Sequence, residues 1–290
     1  MQTGKIIKSI SGFYDVLTGE GTIERTRARG NFRQQKIKPV VGDHVEFEAG
    51  YILAVQPRRN VLVRPPMANL DLAIVVMSAV EPDFSTNLLD RYLVYLAANK
   101  MDALIYVSKT DLLSESQLTK LTPIFDAYLK IGYQVYTHQT SDFADIEAAA
   151  AGKTLMVMGQ SGAGKSTLLN HLLPELKLTT AEISQSLNRG RHTTRTVTLY
   201  PLGVGGAIAD TPGFSSLDLS QLDVGELGQY FVEFPEIADG CRFRGCQHLR
   251  EPDCVVKAAV EKGTIANFRY ADYLQIHDEL SHLRPVYRKS

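Results

Sequence analysis

Gly159-Gln160-Ser161-Gly162-Ala163-Gly164-Lys165-Ser166 matches the spacing G-x-x-x-x-G-K-[ST] in full, with Thr167 next in the chain. Glycines at these places let backbone N–H groups converge on phosphate oxygens, where a side chain would block the approach. Lys165 supplies a cation for the β- and γ-phosphates, and the Ser166 hydroxyl is a ligand for magnesium. The apolar run Thr154–Met158 leads into the loop and a helical run, Ser166–Leu173, leads out of it. That strand–loop–helix context favours a phosphate site over a glycine-rich turn, and the helix N-terminus adds the positive end of its dipole.

Three further segments point to the base and the γ-phosphate. Asp210-Thr211-Pro212-Gly213 fits D-x-x-G, in which the Asp holds magnesium through water and the Gly N–H senses the γ-phosphate. Ser108-Lys109-Thr110-Asp111 resembles N-K-x-D. A carboxylate at Asp111 accepts from both N1–H and the 2-amino group of guanine, whereas adenine has no matching donors, so such a site rejects ATP. Taken alone, the segment also reads as a helix cap through Thr110 or Asp111. Ser108 stands where Asn is usual; it is shorter and has one donor, a departure that bears on affinity more than on base identity. Between loop and D-x-x-G lies Gly190-Arg-His192-Thr193-Thr194-Arg195. Thr194 is assigned to the magnesium shell, with Thr193 as the alternative. Phe214 follows Gly213, where Ras-type proteins carry a Gln that orients the attacking water. Hydrolysis is then either slow and partner-stimulated or served by another group. His192 is the local candidate, the other reading being a surface histidine in a polar loop. Lys165, Thr194 and His192 are the expected catalytic set. The base segment precedes the phosphate loop, the reverse of the Ras order, so the motif order is permuted; a sheet does not record where its chain was cut.

All three cysteines fall in Cys241-x4-Cys246-x-His248-x5-Cys254. Three thiolates and an imidazole form a closed tetrahedral set suited to one structural zinc ion. An odd count without an export signal argues against a disulfide framework.

These sites need elements to carry them. The 290 residues are 44% apolar, enough for cores and for two or three domains. No apolar run is long enough to cross a bilayer, and the N-terminus has no export signal, so a cytoplasmic protein without a membrane partner is expected, by default a monomer. Residues 1–66 hold eleven Lys/Arg against six Asp/Glu, a balance of +5 that leaves −6 on the remainder. A basic domain on an acidic body suggests a polyanion partner, nucleic acid first; a solvated basic face is the other reading. Lys5–Ser11, Tyr14–Leu17, Gly21–Arg29, His44–Glu48 and Tyr51–Val55 read as short strands, as in a small barrel of the OB type. Pro65–Pro66 marks a boundary. From Leu72 onward, buried strands (Leu72–Ser78, Ala103–Val107, Tyr133–Tyr136, Thr154–Met158) alternate with helical patterns at Leu88–Ala98, Ser116–Ile131 and Asp145–Ala151, which indicates a doubly wound parallel sheet. Past Leu219 the chain reads as irregular and helical around the cysteines, closing with a helix over Ile265–Leu283. The expected domains are a barrel (1–66), an α/β P-loop GTPase with permuted motif order (67–221) and a mainly helical zinc-binding unit (222–290).

The run Cys241-Arg-Phe-Arg-Gly-Cys-Gln-His-Leu-Arg-Glu-Pro-Asp-Cys254, together with Gly159–Thr167, Asp210–Phe214 and Gly190–Thr194, resembles the RsgA (YjeQ/YloQ) family of small-ribosomal-subunit-dependent GTPases over essentially the whole chain. The resemblance implies an OB-fold, a permuted GTPase and a zinc domain. It also implies GTP and GDP as ligands with Mg2+, late maturation of the small subunit, stimulation by that subunit, and a hydrolytic role for His192. Arg25, Arg27, Arg29, Arg33, Lys36 and Lys38 then become candidates for binding ribosomal RNA, positions 25, 27 and 29 sharing one strand face. Two other readings are an ATPase or small-molecule kinase, and a zinc-containing RNA-binding module with a vestigial nucleotide site.

Overall fold

The computed structural model describes residues 1–30, 32, 37–63, 65–138, 140–174, 197–203, 205–210 and 217–283, with Thr140–Asp142 and Asp210 described in their backbone alone. β1 (Gln2–Ile10), β2 (Phe13–Thr18), β3 (Ile23–Ala28), β4 (His44–Glu48) and β5 (Tyr51–Val55) pair in the order β1-β2-β3-β5-β4, and β4 returns to β1 to close a barrel. Period-two alternation turns Tyr14 and Val16 of β2 and Val45 and Phe47 of β4 inward, where they join Ile6 and Ile52 in one core.

β6 (Val61–Val63) and β7 (Pro66–Ala68) form a hairpin too short to show as alternation in the sequence. The proline pair expected to separate domains lies inside it. Pro66 opens β7, a strand position that tolerates the missing N–H. Met67 bridges to Val41 of the barrel, and a Cβ on Gly42, whose φ is +92°, would lie 1.9 Å from the Ala68 carbonyl oxygen. Only glycine lets the hairpin approach so closely.

The second layer is the strand series β10-β9-β8-β11-β13-β12, formed by β8 (Leu72–Ser78), β9 (Asp102–Ser108), β10 (Gln134–Thr137), β11 (Thr154–Gly159), β12 (Thr198–Leu202) and β13 (Gly206–Asp210). Its pairings are parallel except β12–β13. Every residue of β8 and β11 is buried, because helices cover both faces. On one face α1 (Thr86–Ala98) and α2 (Glu115–Lys130) pack Leu93, Leu96, Phe125 and Tyr128 against Val75, Met77 and Ile105. On the other, α3 (Thr140–Ala150) and α4 (Lys165–Leu172) pack Phe143, Ile146, Leu168 and Leu172 against Ile74, Val76 and Leu104. Both α1 and α2 start at serine caps, Ser85 accepting from the Leu88 N–H and Ser114 from that of Gln117. No periodicity in the sequence marks β12 as a strand. This strand also pairs with β1 through Thr198 and Lys8, so barrel and α/β layer share one eleven-stranded sheet.

The C-terminal region comprises a 3-10 segment (Val224–Tyr230), α5 (Pro235–Ala238), α6 (Val255–Glu261) and α7 (Asn267–His282) around Leu227, Phe231, Phe234, Tyr273 and Ile276. It docks on α1. Arg269 of α7, only 1% exposed, donates twice to the Glu233 carboxylate (2.8 Å each) and once to Asp90 of α1, which also accepts from the Tyr128 hydroxyl at 2.6 Å. The guanidinium lies 4.6 Å over the Phe231 ring. Replacing Arg269 by Met leaves two carboxylates buried without a counter-charge and should lower the unfolding free energy by about 3–5 kcal/mol. Urea titration measures this; a loss below roughly 0.5 kcal/mol would show that the cluster carries no stability.

Candidate nucleotide and metal sites

The carboxyl ends of β8, β9, β10, β11 and β13 open on one edge of the sheet, where ligands bind in open parallel sheets. The phosphate loop leaves β11 there. A Cβ on Gly159 (φ +144°) would lie 2.2 Å from the Val76 carbonyl oxygen of the adjacent strand. Gly164 (φ +91°) faces Ser108, whose Oγ would be 3.1 Å from such a Cβ. Lys165 Nζ curls back to donate to the carbonyls of Gly159 (2.8 Å) and Gln160 (2.6 Å). Burial pushes its ammonium down to about 8, a charge poorly solvated and ready for phosphate. Ser166 and Thr167 occupy the first turn of α4, Ser161 and Gly162 are exposed at the loop tip, and Ala163 is fully buried beneath it.

The base segment ends β9, beyond the neighbouring β8. Ser108 is buried, and its hydroxyl donates to the Ala163 carbonyl at 2.6 Å. The serine thus braces the phosphate loop despite its short reach. Lys109 is left-handed (φ +59°) and sends Nζ to the carbonyls of Val80 and Glu81, beyond β8. Asp111 follows in a single 3-10 turn, Thr110–Leu112, and is exposed. Asp210 ends β13, whose partner β11 carries the phosphate loop, so D-x-x-G begins beside that loop. Thr193, Thr194, His192, Gly213 and Phe214 lie outside the described residues.

The cysteine–histidine cluster sits apart, in the C-terminal region. The donor atoms of Cys241, Cys246, His248 and Cys254 all lie within 4.8 Å of one another. Tetrahedral zinc with Zn–S of about 2.3 Å requires donor–donor edges of about 3.8 Å. The separations Cys241 Sγ–Cys254 Sγ (4.0 Å), Cys241 Sγ–His248 Nδ1 (3.7 Å) and His248 Nδ1–Cys254 Sγ (3.3 Å) fit that frame. Burial keeps the His248 imidazole below its usual pKa, favouring the neutral ligand form. Sequence reasoning missed the clamp on this loop. Glu251 accepts from the N–H groups of Gln247 (2.9 Å) and Leu249 (2.8 Å), and the Tyr270 hydroxyl donates to the His248 carbonyl at 2.6 Å. Glu251 stands in the Cys241–Cys254 run that carries the resemblance, but its role and that of Tyr270 went unread, because both act by holding backbone.

On the barrel, Arg25 and Arg27 of β3 are exposed with Thr26 buried between them, as alternation requires, whereas Arg29, also exposed, lies just past the end of the strand at Ala28 and not on its face. The guanidinium groups of Arg25 and Arg27 lie 4.9 and 4.1 Å over the Phe13 ring. Lys38 is exposed; Arg33 and Lys36 lie outside the described residues.

A phosphate loop entered from β11, braced by a base segment that comes earlier in the chain, defines a P-loop GTPase of permuted order. Known proteins agree. The sequence profile of the RsgA GTPase matches residues 55–220 and that of the RsgA N-terminal domain residues 3–51. The small ribosomal subunit biogenesis GTPase RsgA of Limosilactobacillus reuteri is 56% identical over the full length of both chains, and that of Enterococcus faecalis 51% identical over 99% of this chain and 98% of its own. Among solved structures, YloQ, a circularly permuted GTPase, is 40% identical, covers 99% of this chain and 97% of its own, and superposes with a TM-score of 0.83. YjeQ from Thermotoga maritima is 33% identical over 98% and 99%, with a TM-score of 0.85. This chain belongs to the RsgA family and is a GTP-hydrolysing enzyme.

Ser108→Ala should weaken GDP binding roughly fivefold, the effect of about 1 kcal/mol for a buried carbonyl that loses its donor; an unchanged Kd by calorimetry would remove the brace. Chelating metal from the purified protein should raise amide hydrogen exchange across α6 and α7, whereas unchanged protection after verified metal removal would mean that the cluster is no staple.

Proposed function

We propose that this GTPase acts in maturation of the small ribosomal subunit, in keeping with the subunit biogenesis that its relatives' names state for them, and hydrolyses GTP while bound to that subunit's RNA. The Ser108–Ala163 hydrogen bond carries the reading, because it ties a phosphate-binding loop to a guanine-type segment and makes one site of the two. In this scheme the backbone amides from Gly159 to Thr167 hold the phosphates, Lys165 neutralises β- and γ-oxygens, and Asp111 accepts the two guanine donors. Ser108 and Lys109 fix the base segment to the phosphate loop and to the chain beyond β8. Ser166 and Thr194, with Asp210 through water, would hold the magnesium that enters with the nucleotide and offsets its negative charge. Gly213 would sense the γ-phosphate, and His192 would orient the attacking water in place of the glutamine that Phe214 excludes.

Zinc at Cys241, Cys246, His248 and Cys254 is structural in this reading, since four protein donors leave no open position for chemistry. Arg25, Arg27, Arg29, Arg33, Lys36 and Lys38 supply the cationic face for ribosomal RNA. The protein acts as a cytoplasmic monomer, where ribosomes are built. Among the described residues no helix is long and apolar enough to cross a membrane.

Single-turnover hydrolysis with and without small ribosomal subunits tests the scheme. GTP should be cleaved faster with subunits, excess ATP should not compete, and His192→Ala should cut the stimulated rate about 100-fold while leaving nucleotide affinity unchanged. Equal competition by ATP, or the same rate with and without subunits, would contradict it.

A further inference from the structure

We infer that His138, acting with Tyr106 and Thr110, positions the Asp111 carboxylate and so sets how sharply the enzyme distinguishes guanine from bases that lack its 2-amino group. The inference rests on the reading of Asp111 as the base acceptor. β10 runs parallel beside β9 with Thr137 opposite Val107, so the two strands deliver His138 and the base segment side by side. The His138 N–H donates to the Thr110 hydroxyl at 3.3 Å. Thr110 directly precedes Asp111 and opens the one-turn 3-10 helix that carries it, a turn otherwise held by the bonds Leu112 N–H to Lys109 (3.2 Å) and Leu113 N–H to Thr110 (3.3 Å). Among the described residues no hydrogen bond reaches the exposed Asp111 carboxylate, so its aim depends on how that turn is anchored.

The anchor leads inward. His138 Nδ1 shares a hydrogen bond with the Tyr106 hydroxyl at 2.9 Å, and Tyr106 is buried in β9 two residues before Ser108. The His138 ring meets Phe143 edge-on (6.0 Å, 88°), and Phe143 is stacked on the other side by His171 of α4 (3.7 Å, 26°). Tyr106 and Phe143 fix the imidazole, and through it they hold in place the His138 backbone whose N–H is tethered to Thr110. Asp111 must meet N1–H and the 2-amino group together. A tilt of the turn weakens two bonds to guanine but only one to the base of inosine nucleotides, which lack the 2-amino donor.

The test is calorimetric titration of the full-length protein with GDP and with IDP. His138→Ala and Thr110→Val should each raise the Kd for GDP about three- to tenfold, the worth of one lost hydrogen bond, and narrow the preference for GDP over IDP by a similar factor. His138→Asn, which offers a donor or an acceptor near the Nδ1 position, should restore both. Equal weakening of GDP and IDP would mean general loosening and overturn the proposal, as would a His138→Asn protein that behaves like His138→Ala. Wild-type protein that binds GDP and IDP equally would instead remove Asp111 as the base reader, and this proposal with it.

Discussion

A triphosphate nucleotide is long, and its charged tail and its base need different chemistry. One protein surface can grip both only if two loops from different strands keep a fixed spacing. Here a buried contact between a hydroxyl at the end of β9 and a carbonyl in the loop after β11 sets that spacing. Around it, Gly159 lets the loop pass closer to Val76 than any side chain would allow, and Gly164 takes, beside Ser108, a φ of +91° that side chains rarely adopt. Lys109 draws in the chain beyond β8, and a desolvated Lys165 waits on its own loop's carbonyls. Each contact is local, yet together they join stretches about 50 residues apart in the chain.

The same β11 that ends in the phosphate loop begins against the barrel. Lys5 of β1 bonds to the Thr154 hydroxyl, Asp71 accepts from the Thr154 N–H at 2.7 Å, and Arg59 pairs with Asp71 at 2.7 Å. With the Lys8–Thr198 pairing, the cationic face and the nucleotide edge belong to one continuous sheet. Barrel and site are therefore joined by paired strands rather than by a linker alone. On the opposite side the C-terminal helices are fastened to α1 by the buried Arg269 cluster and by the Arg91–Glu279 pair.

The C-terminal region relies on directional bonds where its apolar core is small. Its cysteines and histidine converge because Glu251 and two tyrosines hold the intervening backbone, leaving His248 in the left-handed region at φ +56°. A metal there would close a loop of fourteen residues beside the helix α7 that packs on α1.

Sequence alone determined the chemistry that depends on residue type and short spacing. The phosphate loop, the base segment, the cysteine and histidine set and the permuted order all read directly, and so did the strands Leu72–Ser78, His44–Glu48 and Tyr51–Val55, because local rules set periodicity and glycine placement. It did not reveal the hairpin at Val61–Ala68 or strand β12, which hold three to five residues each and exist through their partners. Nor did it tell whether Ser108 could do the work of a longer side chain. That depends on where the Ala163 carbonyl points, which the crossing of β9 and β11 decides. The partners of Arg269 and His138 were hidden for the same reason: each acts on a group distant along the chain, and only the folded tertiary structure makes them neighbours.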